Sequence, residues 1–156
     1  MEYVREYTIK ILKDLIDACR DEYLLFNAAS EKIKNEILKE AFIKYSQEKQ
    51  EHIIKLECEV KRLGGDLNEP KNKATIGTNI LNIKQDTDTK KLLRECVRRD
   101  DFAISLYSSA IKEDILWEVI PLVAKQYFGS KNIHEQIYNI FNKTSEPQTA
   151  AQIPVN

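Results

Sequence analysis

The sequence has few residues that interrupt helices, since only 4 of its 156 residues are glycine and 4 are proline. Because these two residues are the strongest signals for turns and chain breaks, their scarcity favours long, uninterrupted helices. No run of 18 apolar residues occurs, so we expect neither a membrane-spanning helix nor a membrane partner. Residues 1–6 are charged and lack the apolar stretch of a secretory signal, so we expect no secretion.

Charge and cysteine content narrow the class of protein further. The chain carries 24 Lys and Arg against 25 Asp and Glu, a net charge of −1, which argues against a nucleic-acid partner bound through bulk positive charge. Its three cysteines, Cys19, Cys58 and Cys96, are far apart and form no C-x-x-C pair. An odd, scattered set is typical of a reducing compartment, so we expect a cytoplasmic protein.

Four long segments have apolar residues every three or four positions, which is the spacing of amphipathic helices. Asn35 is in place to cap the second helix, and Gly64-Gly65 is in place to end it. The four predicted helices span residues 3–32, 35–63, 88–114 and 117–142.

The joints between these helices predict how they are arranged. Those at 32–35 and 114–117 are short, which predicts two antiparallel helical hairpins. The connection at 66–87 is long enough to cross a bundle from end to end and contains apolar residues for one short helix. We therefore expect an all-α, ferritin-like four-helix bundle over residues 1–143, with helix 3 parallel to helix 2, and a disordered tail over 144–156.

The apolar faces predict which side chains form the core. Five side chains from the second, third and fourth helices are expected to be buried together: Phe42, Leu56, Cys96, Tyr107 and Ile137.

Polar residues interrupt these apolar faces near the middle of all four helices. A di-iron or di-manganese site in such a bundle uses one Glu from each of two helices and a Glu-x-x-His pair from each of the other two. The candidate metal ligands on this basis are Glu22, Glu48, Glu51, His52, Asp100, Asp101 and His134.

The Glu-x-x-His pattern is altered at both histidines. Lys49 stands three residues before His52, and Lys131 stands three residues before His134. An ammonium group has no lone pair to offer a metal and repels a cation. We therefore expect no cofactor and a polar core in which the histidines bond to acids of the protein. The alternative is an iron or manganese site in a di-metal carboxylate oxidoreductase or an iron-binding protein.

Several stretches of the chain together resemble an uncharacterised bacterial ferritin-like family. They are the run 15–21, Phe26-x-x-Ala29-x-Glu31, Glu59-Val60-x-x-Leu63-Gly64-Gly65, Leu92-Leu93-x-x-Cys96-x-x-x-Asp100-Asp101, Tyr107-x-x-Ala110, Gln126-Tyr127 and His134. This resemblance covers about residues 10–141 and implies a four-helix bundle related to rubrerythrins and bacterioferritins. It implies no activity, because the family it points to has none assigned.

Taken together, these features predict a function without catalysis. We expect a ferritin-like bundle with a stress-associated or partner-binding role, and a homodimer through helix faces is one form such binding takes. The sequence does not identify another protein partner.

Overall fold

The computed structural model of the chain describes residues 2–67 and 89–145, and the regular structure in these two ranges is entirely helical. The four helices are α1 (Glu2–Lys32), α2 (Glu36–Arg62), α3 (Thr89–Lys112) and α4 (Ile120–Ser145), and a single 3₁₀ turn, Trp117–Val119, precedes α4. The predicted all-α fold is therefore confirmed. In the described ranges, none of the helices combines the length and the apolar character needed to cross a membrane.

Local sequence explains where α2 begins and ends. The side chain of Asn35 accepts a hydrogen bond from the backbone N–H of Leu38 at 3.1 Å, so it caps the helix as predicted. At the other end Gly64 has a φ of +86°, a conformation that favours glycine. A Cβ on Gly65 would lie 2.7 Å from Cγ1 of Val60, so the chain has no room for a larger residue at that position.

Helix α1 packs against both α2 and α3 and runs antiparallel to each. The short joint between Lys32 and Glu36 reverses the chain from α1 into α2. On its other side, Tyr7 hydrogen-bonds Glu113 just after α3, and Asp21 forms an ion pair with Arg99. Residues near the start of α1 therefore contact the end of α3, and later residues of α1 contact earlier residues of α3. Because α2 and α3 both oppose α1, they are parallel to each other. That residues 66–87 form the predicted long crossover between them stays a prediction.

Helix α4 closes the bundle by packing against α3 and contacting α2 through side chains. Tyr45 donates a hydrogen bond to Gln136 at 2.8 Å, and Arg62 pairs with Glu118 at 3.3 Å, so α2 and α4 are also antiparallel. The order around the bundle is α1, α2, α4, α3.

Two sequence predictions fall mainly on residues that are not described. The short helix predicted within 66–87 lies outside the described residues, except that 66–67 are described. Helix α4 continues to Ser145, two residues into the predicted tail, and residues 146–156 of that tail lie outside the described ranges.

The buried apolar side chains form two clusters, one towards each end of the bundle. Each of the five predicted core residues is fully buried, so their burial is confirmed. Leu56 and Tyr107 belong to one cluster, whereas Phe42, Cys96 and Ile137 belong to the other. The prediction of one shared cluster is wrong, because a layer of polar side chains separates the two.

Replacing Leu56 with alanine tests this core. Leu56 is 0% exposed, and removing a buried leucine side chain leaves a cavity, so Leu56→Ala is expected to lower the free energy of unfolding by about 2–5 kcal/mol. Urea unfolding at neutral pH measures the change. Ile54→Ala is the matched control, because Ile54 is 53% exposed on the same helix and its truncation is expected to cost less than about 0.5 kcal/mol. Equal losses in the two variants would contradict the assigned face of α2.

Candidate functional site

The polar layer between the two apolar clusters takes buried side chains from every helix. Its most deeply buried polar members are Glu22 on α1, Lys49 on α2, Asp100 on α3, and Gln126 and Ser130 on α4. A buried charge is costly unless it is paired and hydrogen-bonded. The partners of the charged members therefore decide what this layer can do.

Lys49 lies at the centre of the layer with 0% of its side chain exposed. Its Nζ lies 3.0 Å from Oε1 of Glu22 and donates a hydrogen bond to Oγ of Ser130 at 2.8 Å. Burial by itself would lower the pKa of Lys49, but the nearby carboxyl groups of Glu22 and Asp100 raise it above its ordinary value. The lysine is therefore a charged ammonium group bound by side chains of α1 and α4.

Glu22 and Asp100 form the acidic side of the layer. Glu22 is 1% exposed and Asp100 is 0% exposed. Burial raises the pKa of Glu22 well above its usual value of 4.5, although Lys49 acts in the opposite direction. Burial also raises the pKa of Asp100. Both carboxyl groups therefore favour protonation more than carboxyl groups in water do.

His134 connects this buried pair with the surface. Its Nδ1 lies 2.9 Å from Oδ2 of Asp100, and its Nε2 lies 3.3 Å from Oδ1 of Asp101. The side chain of Asp101 is 62% exposed. The predicted bonding of His134 to acids of the protein is confirmed by these contacts.

A second hydrogen-bonded chain crosses the layer next to the lysine. Tyr107 donates to Oε1 of Gln126 at 2.6 Å, and Nε2 of Gln126 donates to the backbone carbonyl of His52 at 3.2 Å. Cys19 Sγ lies 3.2 Å from the hydroxyl of Tyr107, whose single proton is already used, so the thiol is the donor there. Burial raises the pKa of Cys19 to about 11, so the thiol stays protonated and unreactive at neutral pH.

His52 differs from the prediction, which placed an acid beside it. Its Nδ1 is buried and has no hydrogen-bond partner within the described part of the chain. Its ring is tilted towards that of Tyr107, with the ring centres 6.3 Å apart. Burial lowers the pKa of His52 to about 3, and the charges of Lys49 and Lys55 contribute, so the imidazole is neutral at pH 7.

The seven candidate metal ligands have different environments. Glu22, Asp100 and His134 belong to the polar layer, Asp101 lies at its rim, and His52 borders it through Tyr107. Glu48 is partly exposed and Glu51 is exposed. Over residues 2–67 and 89–145, no group of three or more His, Cys, Asp or Glu side chains has an arrangement able to hold a metal ion. The assignment of these seven residues as ligands stays a prediction.

An ammonium group of the protein itself lies against the acidic side of the layer. Lys49 contacts Glu22 at the position where a Glu-x-x-His motif would supply a carboxylate. The second lysine, Lys131, is exposed, and its Nζ lies 5.6 Å from the ring centre of Tyr127. The sequence reasoning missed Ser130 as the second partner of Lys49. The available signal was a small polar residue on the inner face of α4, one helical turn after Gln126.

Comparison with known families bears on the first three helices. Residues 7–113 match the family model described as "Domain of unknown function (DUF2383)". The chain belongs to this family. In this DUF2383 chain the match includes Glu22, Lys49 and Asp100, whereas Ser130 and His134 lie beyond the matched residues. A search of curated proteins finds no match.

Substituting Lys49 tests whether the ammonium balances the buried carboxyl groups. Lys49→Met keeps most of the volume but leaves a buried negative charge unpaired, so it is expected to lower the free energy of unfolding by about 3–5 kcal/mol. Denaturant unfolding at pH 7 measures the loss. The double variant Lys49→Met, Asp100→Asn removes one charge of each sign and is expected to lose less than the sum of the two single variants.

A surface pair provides the control for Lys49. Arg20 and Glu57 lie 2.8 Å apart, with side chains 42% and 31% exposed, so Arg20→Met is expected to cost no more than about 1 kcal/mol. Strict additivity of the Lys49 and Asp100 substitutions would contradict a shared charge balance.

The neutral state of His52 predicts a loss of stability in acid. In the unfolded chain a histidine gains its proton near the ordinary pKa of 6.5, whereas folded His52 does so only near 3. Its contribution to stability is therefore present above 6.5 and is lost as the pH falls towards 3. Melting temperatures of the wild type and His52→Gln between pH 7 and 4 are expected to differ in their slope with pH. Identical slopes, with Glu51→Gln as the control on the exposed side of α2, would exclude a neutral buried imidazole.

Proposed function

We propose that this chain is a metal-independent, ferritin-like four-helix bundle whose core cation is the ammonium group of Lys49. The observation that carries the proposal is the position of that group, 3.0 Å from Glu22 and 2.8 Å from Ser130. In carboxylate bundles the acids of the core gather around metal ions. Here the acids gather around a side chain of the protein. The parallel α2 and α3, which require a long connection, support the ferritin-like assignment.

We further propose that the protein acts without catalysis, as a cytoplasmic bundle that binds a protein partner. Among the described residues the polar centre is buried, since Glu22, Lys49 and Asp100 are each no more than 1% exposed, and such burial does not favour a substrate site there. The outer faces instead present large apolar side chains that suit protein contact. Those at least half exposed are Tyr3, Ile37, Ile54, Phe102, Trp117 and Phe128.

A second copy of the chain is one partner that these faces can accept. Sedimentation velocity over a range of protein concentrations tests this association. A dimer that dissociates on dilution supports it, and a monomer at every concentration removes self-association from the proposal.

The second candidate function is an iron or manganese site, and one observation favours it. Nδ1 of His52 is buried without a partner in the described residues, as a metal ligand in the absence of its ion would be. For such a site to form, Lys49 would have to leave its position beside Glu22. Breaking the ion pair of Lys49 and Glu22 would leave a buried charge without a partner, which is strongly destabilising, so we rank this function second.

Metal titration separates the two functions. Iron(II), manganese(II) and zinc(II) are added to metal-free protein while the melting temperature is followed, because a ligand that binds only the folded state raises it. We expect no saturable rise for the wild type and a saturable rise for Lys49→Glu, which restores Glu-x-x-His before His52. Lys55→Glu is the control, since Lys55 is exposed on the same helix. A rise in the wild type that vanishes in the His52→Ala, His134→Ala double variant would overturn the proposal.

A further inference from the structure

We infer that the two ends of the bundle recognise each other, so that the acidic end of one copy of the chain binds the basic end of a second copy. The acidic end comprises residues 2–7, 59–67 and 110–118. The basic end comprises residues 31–40, 89–94 and 142–145. This pairing rests on the partner-binding function proposed above, and it names both the partner and the surfaces that meet.

Hydrogen bonds from the first turns of α1 assemble the acidic end. Arg5 donates to the backbone carbonyl of Leu63, just after α2, at 2.6 Å. The backbone N–H of Leu116, between α3 and α4, donates to Oγ1 of Thr8 at 2.9 Å. These bonds hold three segments of the chain together, so the surface at this end is already formed before a partner binds.

The acidic end presents aromatic rings among carboxylates. Tyr3 and Trp117 are 76% and 79% exposed, and the ring of Tyr3 stacks with that of Tyr7. Tyr7 in turn hydrogen-bonds Glu113, just after α3. The residues of this end include seven acidic and four basic side chains. Because aromatic faces and carboxylates both attract cations, this surface suits a basic partner.

The basic end has the complementary composition. The turn between α1 and α2, the start of α3 and the end of α4 meet there, and Ile33, Leu92 and Ile137 share one apolar cluster. The residues of this end include seven basic and three acidic side chains. Ile37, in the first turn of α2, is 78% exposed. The basic end therefore offers an apolar contact together with an excess of positive charge.

The exposed apolar side chains indicate the same two ends. Among the residues that the structure describes, the large apolar side chains with the highest exposure are Trp117, Ile37 and Tyr3. Contact between an acidic and a basic end removes these side chains from water and brings opposite charges together. Contact between two like ends brings like charges together, so the charges favour the unlike pairing.

A pairing of unlike ends has a consequence for the size of the assembly. Such a contact is heterologous, because each copy contributes a different surface. Every pair keeps one unused end of each kind, so further copies add as the protein concentration rises. A self-complementary contact through one shared helix face would instead stop at a dimer.

The emission of Trp117 tests the contact, because this residue is the only tryptophan of the chain. Burial against a second copy is expected to shift the emission to shorter wavelength as the wild-type concentration rises. Ile37→Glu adds a negative charge to the basic end, which lies about 40 Å away along the 27 residues of α2. This variant is expected to need about tenfold or more protein for the same shift.

The distance between the two residues makes this readout specific for contact between copies. A change at position 37 reaches Trp117 of its own chain only through the length of the bundle, whereas it acts directly on a docked neighbour. Ile54→Glu is the control, because Ile54 is 53% exposed on the same helix and lies outside both ends, and it is expected to keep the wild-type shift. Emission that does not depend on concentration in the wild type overturns the pairing.

Mixing two variants tests whether the surfaces are unlike. Trp117→Lys alters only the acidic end and Ile37→Glu only the basic end. In sedimentation velocity each variant alone is expected to stay monomeric at concentrations where the wild type associates. In an equal mixture, the intact acidic end of one variant binds the intact basic end of the other, so a dimer that grows no further is expected. Phe128→Lys, at a position 66% exposed on α4, is the control and is expected to associate as the wild type does.

The outcomes separate the pairing of ends from self-association in general. All three changed side chains are more than half exposed, so the variants are expected to keep the wild-type melting temperature. A mixture that stays monomeric, or a wild type that stops at a dimer, overturns the unlike pairing. A dimer that both single variants retain also overturns it but leaves self-association in place. A wild type that is monomeric at every concentration overturns the pairing and self-association together, and the proposed binding of a different protein is then judged separately.

Discussion

A positive charge in the interior of a protein has to be balanced within a few ångströms, because the surrounding side chains solvate it far less well than water does. Lys49 imposes this requirement at the centre of the bundle. Glu22 from α1 and Ser130 from α4 meet its Nζ, and Asp100 from α3 completes the acidic side. Every helix therefore contributes to one electrostatic arrangement.

This arrangement also explains why the apolar core is divided. One cluster contains Leu56 and Tyr107, and the other contains Phe42, Cys96 and Ile137, with the polar layer between them. Apolar packing tolerates small shifts of one helix along another, because different pairings of similar apolar side chains bury similar areas. An ion pair with partners on several helices is satisfied in only one alignment. The polar layer thus restricts how the two clusters are stacked.

In the metal-independent bundle proposed here, the ammonium group of Lys49 takes the role that metal ions have in bundles whose core acids bind metal. A metal ion draws carboxylate and imidazole ligands to itself and requires their lone pairs. An ammonium group needs acceptors in the same places, but it is covalently attached and cannot be lost or exchanged. With Lys49 in that role, the acids keep a cation partner without an external ligand, and His134 is left to bond Asp100 and Asp101.

The sequence by itself determined the helices and the composition of the polar layer. The side chain of Asn35 caps α2 and the glycine at position 64 ends it, both through contacts with residues nearby in the chain. The lengths of the joints predicted that α2 and α3 are parallel, and the apolar spacing identified Phe42 and Leu56 as buried. These features follow from short-range interactions and from the helical period, which a sequence displays directly.

Only the tertiary structure decided which polar residues meet. Glu51 is exposed, and His52 has no acid beside it in the described residues, although both seemed suitably placed on α2. The structure makes Ser130 a partner of Lys49. It also buries Asp100 in the polar layer, whereas the side chain of its neighbour Asp101 is 62% exposed. A rotation of a helix by a fraction of a turn changes which side chain faces the core. That rotation is set by the packing of many side chains on neighbouring helices, so it is not encoded in any local pattern.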